Sequence, residues 1–457
     1  MIPWNRWYSF KSYVKSALWI VPLIVVVIQI IAKRGAEHLG AWMVSKGYYD
    51  LTSGFLALKA PDAQAALDRI FTLNLSFLVF TFGSLLVAIQ VAGGQYTPRI
   101  IATTLLRDNV IRFIVGLFVF TLLWAHRTSS QLSDPEVPQF QLFLAVFFGL
   151  VSLVAFLVLI DYAARFLRPV SLVDNIGKSG LAVIGSVYPL PSQGAVSAPQ
   201  EPARKRRWRL PPWGWKEVAP AAVQPMKRNP PDRTLLHQGT SGIILAVNVT
   251  ALIAEAERAD CVIELAPQVG DFVAVDEPLF YLYGKVSEHE DLRLRSLVAL
   301  GSERTMEQDP LFAFRILVDI ALKALSPAIN DPTTGVLAID QLHRLLRMVG
   351  LRSLRTDEFA DAGGRLRLIF RTPNWENFVH LSFREIREYG ASNLQIARRL
   401  RAMIENLTQT LPEHRHAALL EELDLLDRAV ERHFTSPEDL ALARIPDAQG
   451  LGGSVRK

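Results

Sequence analysis

The densest group of side chains that could do chemistry lies in residues 326–334, with the sequence SPAINDPTT. An amide, a carboxylate and two hydroxyls meet within this short stretch, from Asn330, Asp331, Thr333 and Thr334. Such oxygen donors suit a hard cation or a polar ligand, although a single carboxylate makes a thin coordination shell. The structural alternative is that Asp331 caps a helix with Pro332 at its first position. Both interpretations stay open.

A polar stripe runs along the second long apolar segment of the chain. On a helix with 3.6 residues per turn, its members fall within about 40° of one another; they are Thr72, Ser76, Gly83 and Gln90. Polar side chains at membrane depth need partners or water. The stripe therefore indicates either helix packing or the lining of a hydrated pathway, whose mouth would be segment 93–99 with Gln95. No acidic residue lies in any apolar segment, which disfavours a proton relay or a strongly charged cation filter.

Arg315, Asp319 and Lys323 recur every four residues on a helix that is otherwise apolar. Such a charged stripe is usually solvated. Because a helix that is apolar nearly all round must be buried, we also consider a subunit interface in which Arg315 and Asp319 are paired.

Enzyme signatures are absent from the sequence. It contains no phosphate-binding loop, no zinc-protease motif, no nucleophile elbow and no dinucleotide fingerprint. The single cysteine, Cys261, lies in an apolar strand, which is typical of a core residue, and the histidines are scattered. We therefore expect no catalytic activity, no metal site and no cofactor.

The elements that would position these residues begin with four apolar segments. They are long enough, or nearly long enough, to cross a hydrocarbon core of about 30 Å. The predicted spans are residues 16–32, 70–92, 110–125 and 140–160, within a membrane region of residues 1–164.

Lysine and arginine near the span ends predict the orientation, because they are enriched on the cytoplasmic side. The N-terminal segment and the segment between the second and third spans are basic, whereas the loop at 129–139 is acidic. We therefore expect a membrane protein with both termini in the cytoplasm.

After the membrane region the composition changes twice. Residues 165–190 predict a helix that extends the fourth span, kinked at Pro169. Residues 191–232 form a Pro-rich linker without a core of its own. Its basic cluster Arg204–Arg209, followed by tryptophans, could contact anionic lipid or could be merely solvated. The neighbouring sequence predicts neither a helix that could enter a DNA groove nor a sheet on which bases could stack. Nucleic-acid binding is therefore not expected.

The C-terminal half predicts a mixed fold. Residues 233–286 alternate strands and tight turns like a small barrel-sandwich module, but without the lysine of biotinyl or lipoyl carriers. Residues 287–440 are mostly helical by periodicity, and residues 441–457 predict a flexible tail. The expected fold class is an α+β membrane protein, with four transmembrane helices, a cytoplasmic barrel-sandwich-like β module and a helical bundle.

Four segments carry a resemblance to a known family. They are SLLVAIQVAGGQYTPRII at 84–101, SGIILAVNVTALIAEA at 241–256, VGDFVAVDEPLF at 269–280 and RILVDIALKALSPAINDPTTGVLAIDQL at 315–342. With them the chain resembles the bacterial predicted membrane proteins called domain of unknown function 2254. The resemblance implies an inner-membrane protein with an N-terminal membrane region and a C-terminal soluble region. It implies no catalytic residues.

Two functions are compatible with these observations. The favoured hypothesis is a homo-oligomeric channel or transporter-like pore, regulated by its cytoplasmic domain. The alternative is a non-conducting sensor or scaffold, anchored in the bilayer, whose cytoplasmic domain binds a ligand or a partner.

Overall fold

The structure is a computed structural model that describes residues 3–17, 19–46, 58–95, 108–132, 139–166, 168–188, 230–284, 290–354 and 357–452. The chain forms two compact units. The membrane unit comprises Tyr13–Gly94 and Pro98–Leu172, and the C-terminal unit comprises Met1–Ser12, Gln95–Thr97 and Val173–Lys457. The basic cluster Arg204–Arg209 and most of the Pro-rich linker lie outside the described residues.

The membrane unit is built from long helices. They are α2 (Ile20–Ser45), α3 (Ala60–Gln95), α4 (Asn109–Ser129) and α5 (Gln139–Phe166), preceded by α1 (Trp4–Ser16), whose first residues belong to the C-terminal unit. Three stretches in the described part are long and apolar enough to cross a membrane: Ala60–Gln90, Asn109–Ser129 and Gln139–Arg165.

The first expected span, 16–32, is not among these three. Its apolar run lies in α2, where Lys33, Arg34 and Glu37 follow Ala32. The uncharged part from Ile20 to Ala32 rises only about 20 Å as a helix, so the expected four spans become three by length and composition.

Aromatic and small residues hold the membrane unit together. The ring of Phe77 on α3 lies 4.2 Å from that of Phe156 on α5 and 5.5 Å from that of Phe118 on α4, measured between centroids. Gly116 on α4 allows α2 to come close, because a Cβ there would be 3.1 Å from a methyl group of Val25. Asp108 starts α4 by accepting the backbone N–H groups of Val110 and Ile111.

Pro169 separates two helices instead of kinking one. The helix α5 ends at Phe166, and α6 (Pro169–Val187) begins at the proline, which lacks the N–H group that a continuous helix would use. Within the C-terminal unit α6 carries small residues where it packs closely. A Cβ at Gly180 would be only 3.0 Å from the Cβ of Ala313 and 3.1 Å from the side chain of Leu345.

The C-terminal unit contains two open sheets. The larger has the order β1-β5-β3-β8-β7, with β3 and β8 parallel and the other pairs antiparallel; the smaller has the order β4-β2-β6. The strands are β1 (Arg233–Leu236), β2 (Gly242–Val247), β3 (Val262–Leu265), β4 (Phe272–Val273), β5 (Pro278–Tyr283), β6 (Val298–Gly301), β7 (Glu358–Ala360) and β8 (Leu366–Phe370).

The expected barrel-sandwich module is therefore wrong. The local pattern of strands and turns is present, but β3 pairs with β8, far along the chain, and β2 pairs with β6. The sheets remain open because their neighbours come from outside residues 233–286. A shared core forms around Phe280, Leu282 and Leu368, all fully buried.

Helices complete the C-terminal unit. Two short ones, α7 (Val249–Arg258) and α8 (Asp291–Arg295), accompany the strands. The longer ones are α9 (Pro310–Leu325), α10 (Pro332–Gly350), α11 (Trp375–Gly390), α12 (Leu394–Thr410) and α13 (His416–His433), followed by α14 (Pro437–Ala443). Each of α9 to α12 begins with an Asp or Asn side chain that accepts a backbone N–H, which is the physical reason for these starts.

The sequence predicts a flexible tail from residue 441, but the structure describes the chain to Gly452 in contact with α12. Arg398, fully buried, donates to the carbonyl oxygens of Ile445 at 3.0 Å and Gly452 at 2.9 Å. Asp447 accepts three backbone N–H groups of the following turn, which lower the pKa of its carboxyl against the effect of burial.

Candidate functional site

The polar stripe of α3 lies on the outside of the membrane unit. Thr72, Ser76, Gly83 and Gln90 are all exposed. Large apolar side chains flank them on the same surface, among them Val79 (67% exposed) and Leu86 (59% exposed). The side chain of Gln95 and the following residues 96–99 lie outside the part of the chain that the structure describes.

Hydroxyl groups of the stripe are already hydrogen-bonded within α3. Thr72 donates to the carbonyl oxygen of Asp68, and Ser76 to that of Thr72, each at 2.8 Å. The opposite face is different, because Asn74 and Thr81 are buried in the protomer. The structure thus separates a buried polar face of α3 from a polar face that is exposed in the single chain.

In the turn before α10, Asp331 acts as a cap. Its Oδ1 accepts the N–H of Thr334 at 3.1 Å and its Oδ2 accepts the hydroxyl of the same residue at 2.5 Å. Asn330 adopts a positive φ of 48°, a conformation that asparagine tolerates better than most residues. Thr333 belongs to the first turn of α10 and is exposed. The four predicted ligand residues are adjacent, but both oxygens of the one carboxylate are occupied by Thr334.

Arg315 finds its partners inside the protomer. Its guanidinium donates to Asp319 on α9 at 2.6 Å and to both carboxylate oxygens of Glu385 on α11. These hydrogen bonds hold the pKa of Glu385 below its usual range. The charged stripe on α9 thus joins two helices of one chain, and Glu385 is a partner that sequence spacing could not identify.

A buried lysine in the membrane unit was not anticipated as a site residue. Lys33 on α2, only 2% exposed, donates to the hydroxyl of Thr128 at 2.8 Å and to the amide oxygen of Gln141. Its ammonium lies 5.2 Å from the ring centre of Trp124, within cation–π range. All three partners are neutral, and they come from α4 and α5. The sequence shows Lys33 only as the flank of an apolar run.

The C-terminal unit contains a buried carboxyl group at Asp309. Its Oδ1 caps α9 by accepting the N–H of Phe312 at 3.1 Å. The residue is 4% exposed, and among the described residues its Oδ2 has no hydrogen-bond partner. Arg304 Nε lies 4.0 Å from Oδ2, while the same guanidinium donates to the carbonyl oxygen of Gly270. Burial raises the pKa of the Asp309 carboxyl to about 6, although Arg304 opposes the shift.

A narrow cleft adjoins this carboxyl. It is lined by the last residue of α6, by the loop before β4, by the start of α9 and by the segment after β8: Val187, Val269, Gln308, Asp309, Pro310, Phe370, Arg371, Thr372 and Pro373. Tyr188, fully buried just after α6, donates to the carbonyl oxygen of Pro373 at 3.2 Å. Burial, with Asp309 as a further cause, raises the pKa of the Tyr188 phenol, so this hydroxyl stays protonated.

The cleft can accept a proton or a hydrogen-bond donor on Oδ2 of Asp309. A buried carboxyl without a full set of partners is a recognised mark of functional sites, although structural networks also produce it. The sequence contained one signal for it, the Asp309-Pro310 pair at a helix start, which repeats the Asp331-Pro332 pattern. That signal indicates a cap and says nothing of burial.

The described residues form no site suited to metal binding or to thiol chemistry. No group of three His, Cys, Asp or Glu side chains there is placed to hold a metal ion. Cys261 is buried, and burial raises the pKa of its thiol to about 11, so it is protonated at neutral pH. This agrees with the interpretation of Cys261 as a core residue.

Comparisons with known proteins cover most of the chain. The model of the predicted membrane protein family DUF2254 matches residues 15–406. The chain is similar to uncharacterized proteins of Mycobacterium bovis and of two strains of Mycobacterium tuberculosis, with 23% identity over 453 residues in each case. Each match covers 96% of this chain and 81% of the relative. No solved structure matches the chain. Because the family model spans most of its length, the chain belongs to the predicted membrane protein family DUF2254.

Proposed function

We propose that this membrane protein is a homo-oligomeric channel or transporter-like pore, regulated by its C-terminal unit. The observation that carries the proposal is the exposed stripe on α3. Thr72, Ser76 and Gln90 lie on the outer surface of a helix that is long and apolar enough to cross a bilayer. In lipid the amide of Gln90 would be left unsatisfied, whereas in an oligomer it could face water or a neighbouring chain.

Ion flux through reconstituted liposomes tests the pore. The triple variant Thr72→Leu, Ser76→Leu and Gln90→Leu is expected to abolish flux, because it removes the polar lining. The matched control is Thr72→Ser, Ser76→Thr and Gln90→Asn, which keeps the polarity and should conduct. Absence of flux in the unaltered protein would contradict the pore, and unchanged flux in the leucine variant would contradict this lining.

The topology that we propose has four crossings, with α2 as the first, and both termini in the cytoplasm. It is supported by contacts within the C-terminal unit, where the N–H of Asn5 donates to the carbonyl oxygen of Ser296 at 3.0 Å. Because Asn5 and Ser296 are in contact, they lie on the same side of the bilayer, and an even number of crossings separates them. Three candidate spans are odd in number, and among the described residues of the membrane unit α2 is the remaining long helix.

Thiol labelling in whole cells tests this topology. In a Cys261→Ser background, Ser130→Cys after α4 should react with a membrane-impermeant maleimide from the periplasm. Leu292→Cys, at a position that is 77% exposed, should react only after permeabilisation. The opposite pattern would invert the orientation, and labelling of both from outside would exclude four crossings.

The second candidate is the sensor or scaffold, which the Asp309 cleft favours. Ligand binding there would act on Val187 and on the adjoining Tyr188, at the end of α6. A thermal-shift screen of the detergent-solubilised protein with primary amines and alkali cations tests this candidate. A shift in the unaltered protein that Asp309→Asn abolishes would support it, and equal behaviour of the two proteins would count against it.

A further inference from the structure

We propose that α1 binds the anionic headgroup region of the bilayer through the surface formed by Arg6, Trp7 and Phe10. The opposite surface of the same helix packs against the rest of the C-terminal unit. The helix α1 thereby acts as a lipid-contacting element of that unit.

The packed surface of α1 makes specific contacts with the C-terminal unit. Trp4 and Tyr8 stack with ring centroids 5.3 Å apart and pack against a buried cluster that contains Leu245, Ala246 and Ala299. The hydroxyl of Tyr8 lies 3.5 Å from Glu307 Oε2, and the backbone of Asn5 bonds to Ser296. This surface is therefore occupied within the protomer.

The other surface of α1 is aromatic and basic. Trp7 is 51% exposed and Phe10 is 58% exposed, with ring centroids 6.1 Å apart. Arg6 is exposed beside them. At 100° per residue these three residues cover one continuous third of the helix surface. The helix has no acidic residue, so its charge complements an anionic surface.

A bilayer is the occupant that fits this chemistry and position. Tryptophan is enriched at membrane–water interfaces, and helices that lie there combine aromatic and basic side chains. The apolar helix α2 begins at Ile20, only four residues after α1 ends at Ser16. The contact of α1 with lipid rests on the proposed entry of α2 into the bilayer. If α2 enters the bilayer, the short connection between Ser16 and Ile20 favours lipid over a second protein copy as the occupant of this surface.

The test uses nitroxide labels on full-length protein in nanodiscs, in a Cys261→Ser background. The probe positions are Phe10→Cys and, in case that variant folds poorly, Trp7→Cys. The reference for lipid is Val27→Cys on α2, which is 55% exposed, and the reference for water is Leu292→Cys. The measurement compares collision of each label with oxygen, which partitions into lipid, and with a water-soluble nickel complex.

The measured quantity is the ratio of collisions with oxygen to collisions with the nickel complex. In discs that contain phosphatidylglycerol, this ratio should be several-fold higher for the label at residue 10 than for the label at residue 292, and lower than for the label at residue 27. Arg6→Glu should reduce this ratio at residue 10, whereas Arg6→Lys should leave it unchanged. If the label at 27 is immersed but that at 10 behaves like that at 292, the lipid contact is refuted. If the label at 27 is itself in water, the crossing of α2 fails, and this inference fails with it. Dipolar broadening between labels at 10 would show a second copy on this surface and would also overturn the proposal.

Discussion

The carboxylate of Asp309 occupies the space that a side chain at position 270 would need. A Cβ built on Gly270 would lie 2.5 Å from Asp309 Oδ2, and Gly270 has a φ of +92°, which L-residues rarely adopt. The loop between β3 and β4 can therefore close over the start of α9 only with glycine at this position.

The first prediction follows from this contact. Gly270→Ala should lower the free energy of unfolding by about 2–4 kcal/mol, because it combines backbone strain with a clash. The matched control is Gly239→Ala, where φ is +113° but no atom lies within 4 Å of the added Cβ. This control should lower the free energy of unfolding by about 1–2 kcal/mol, because it introduces backbone strain alone. Chemical denaturation of the detergent-solubilised protein measures both, and equal losses would show that the clash is relieved.

The second prediction concerns the charge of Asp309. Its pKa is raised from 3.8 to about 6, so the folded protein binds the proton more tightly than the unfolded chain. The stability contribution of this carboxyl is therefore lost as pH rises from about 4 to about 6. Asp309→Asn keeps the helix cap and removes the buried charge.

Above pH 6 the Asp309→Asn variant should be more stable than the unaltered protein by up to about 3 kcal/mol. The difference should vanish near pH 4. Thermal unfolding of both proteins across this range, in buffer without candidate ligands, measures the effect. A variant that is less stable at pH 7.5 would mean that the carboxylate has a favourable partner there.

The third prediction separates a fold contact from a subunit contact at Arg315. A double-mutant cycle with Arg315→Met and Glu385→Gln should give a coupling free energy of about 0.5–1 kcal/mol, because Glu385 is about half exposed. Since the pKa of Glu385 is lowered, this coupling is present above pH 4.5 and is lost as pH falls through the lowered value. Light scattering should give the same molecular mass for Arg315→Met as for the unaltered protein; a lower mass of the variant would instead place this residue at a subunit interface.

The fourth prediction tests the turn before α10. Asp331→Ala should lower the free energy of unfolding by about 1 kcal/mol, because the helix loses its N-cap. Asp331→Asn should leave this free energy nearly unchanged, because asparagine is also a good N-cap. Addition of Ca²⁺ or Mg²⁺ should leave the unfolding midpoint of the unaltered protein unchanged, because Thr334 already occupies both carboxylate oxygens. A cation-dependent rise in the midpoint that Asp331→Asn abolishes would establish the site for a hard cation instead.

Local patterns were sufficient for the helical parts of the fold. Three of the four apolar runs became helices fit to cross a membrane, and the caps before α9 and α10 lie at Asp-Pro pairs visible in the sequence. The first run is not among these three helices, because its uncharged stretch from Ile20 ends at Lys33 and Arg34. These are properties of consecutive residues, so the sequence displays them directly.

The sequence by itself therefore determined where helices start, which segments are apolar enough for lipid, and which side chains share a helix face. Only the tertiary structure decided that β8 completes the sheet beside β3, that Glu385 pairs with Arg315, and that Asp309 is buried under Gly270. Periodicity reports which face of an element is apolar, but not which distant surface covers it. Pairing, burial and the resulting pKa shifts depend on that choice of neighbour, which is made by packing across the whole unit.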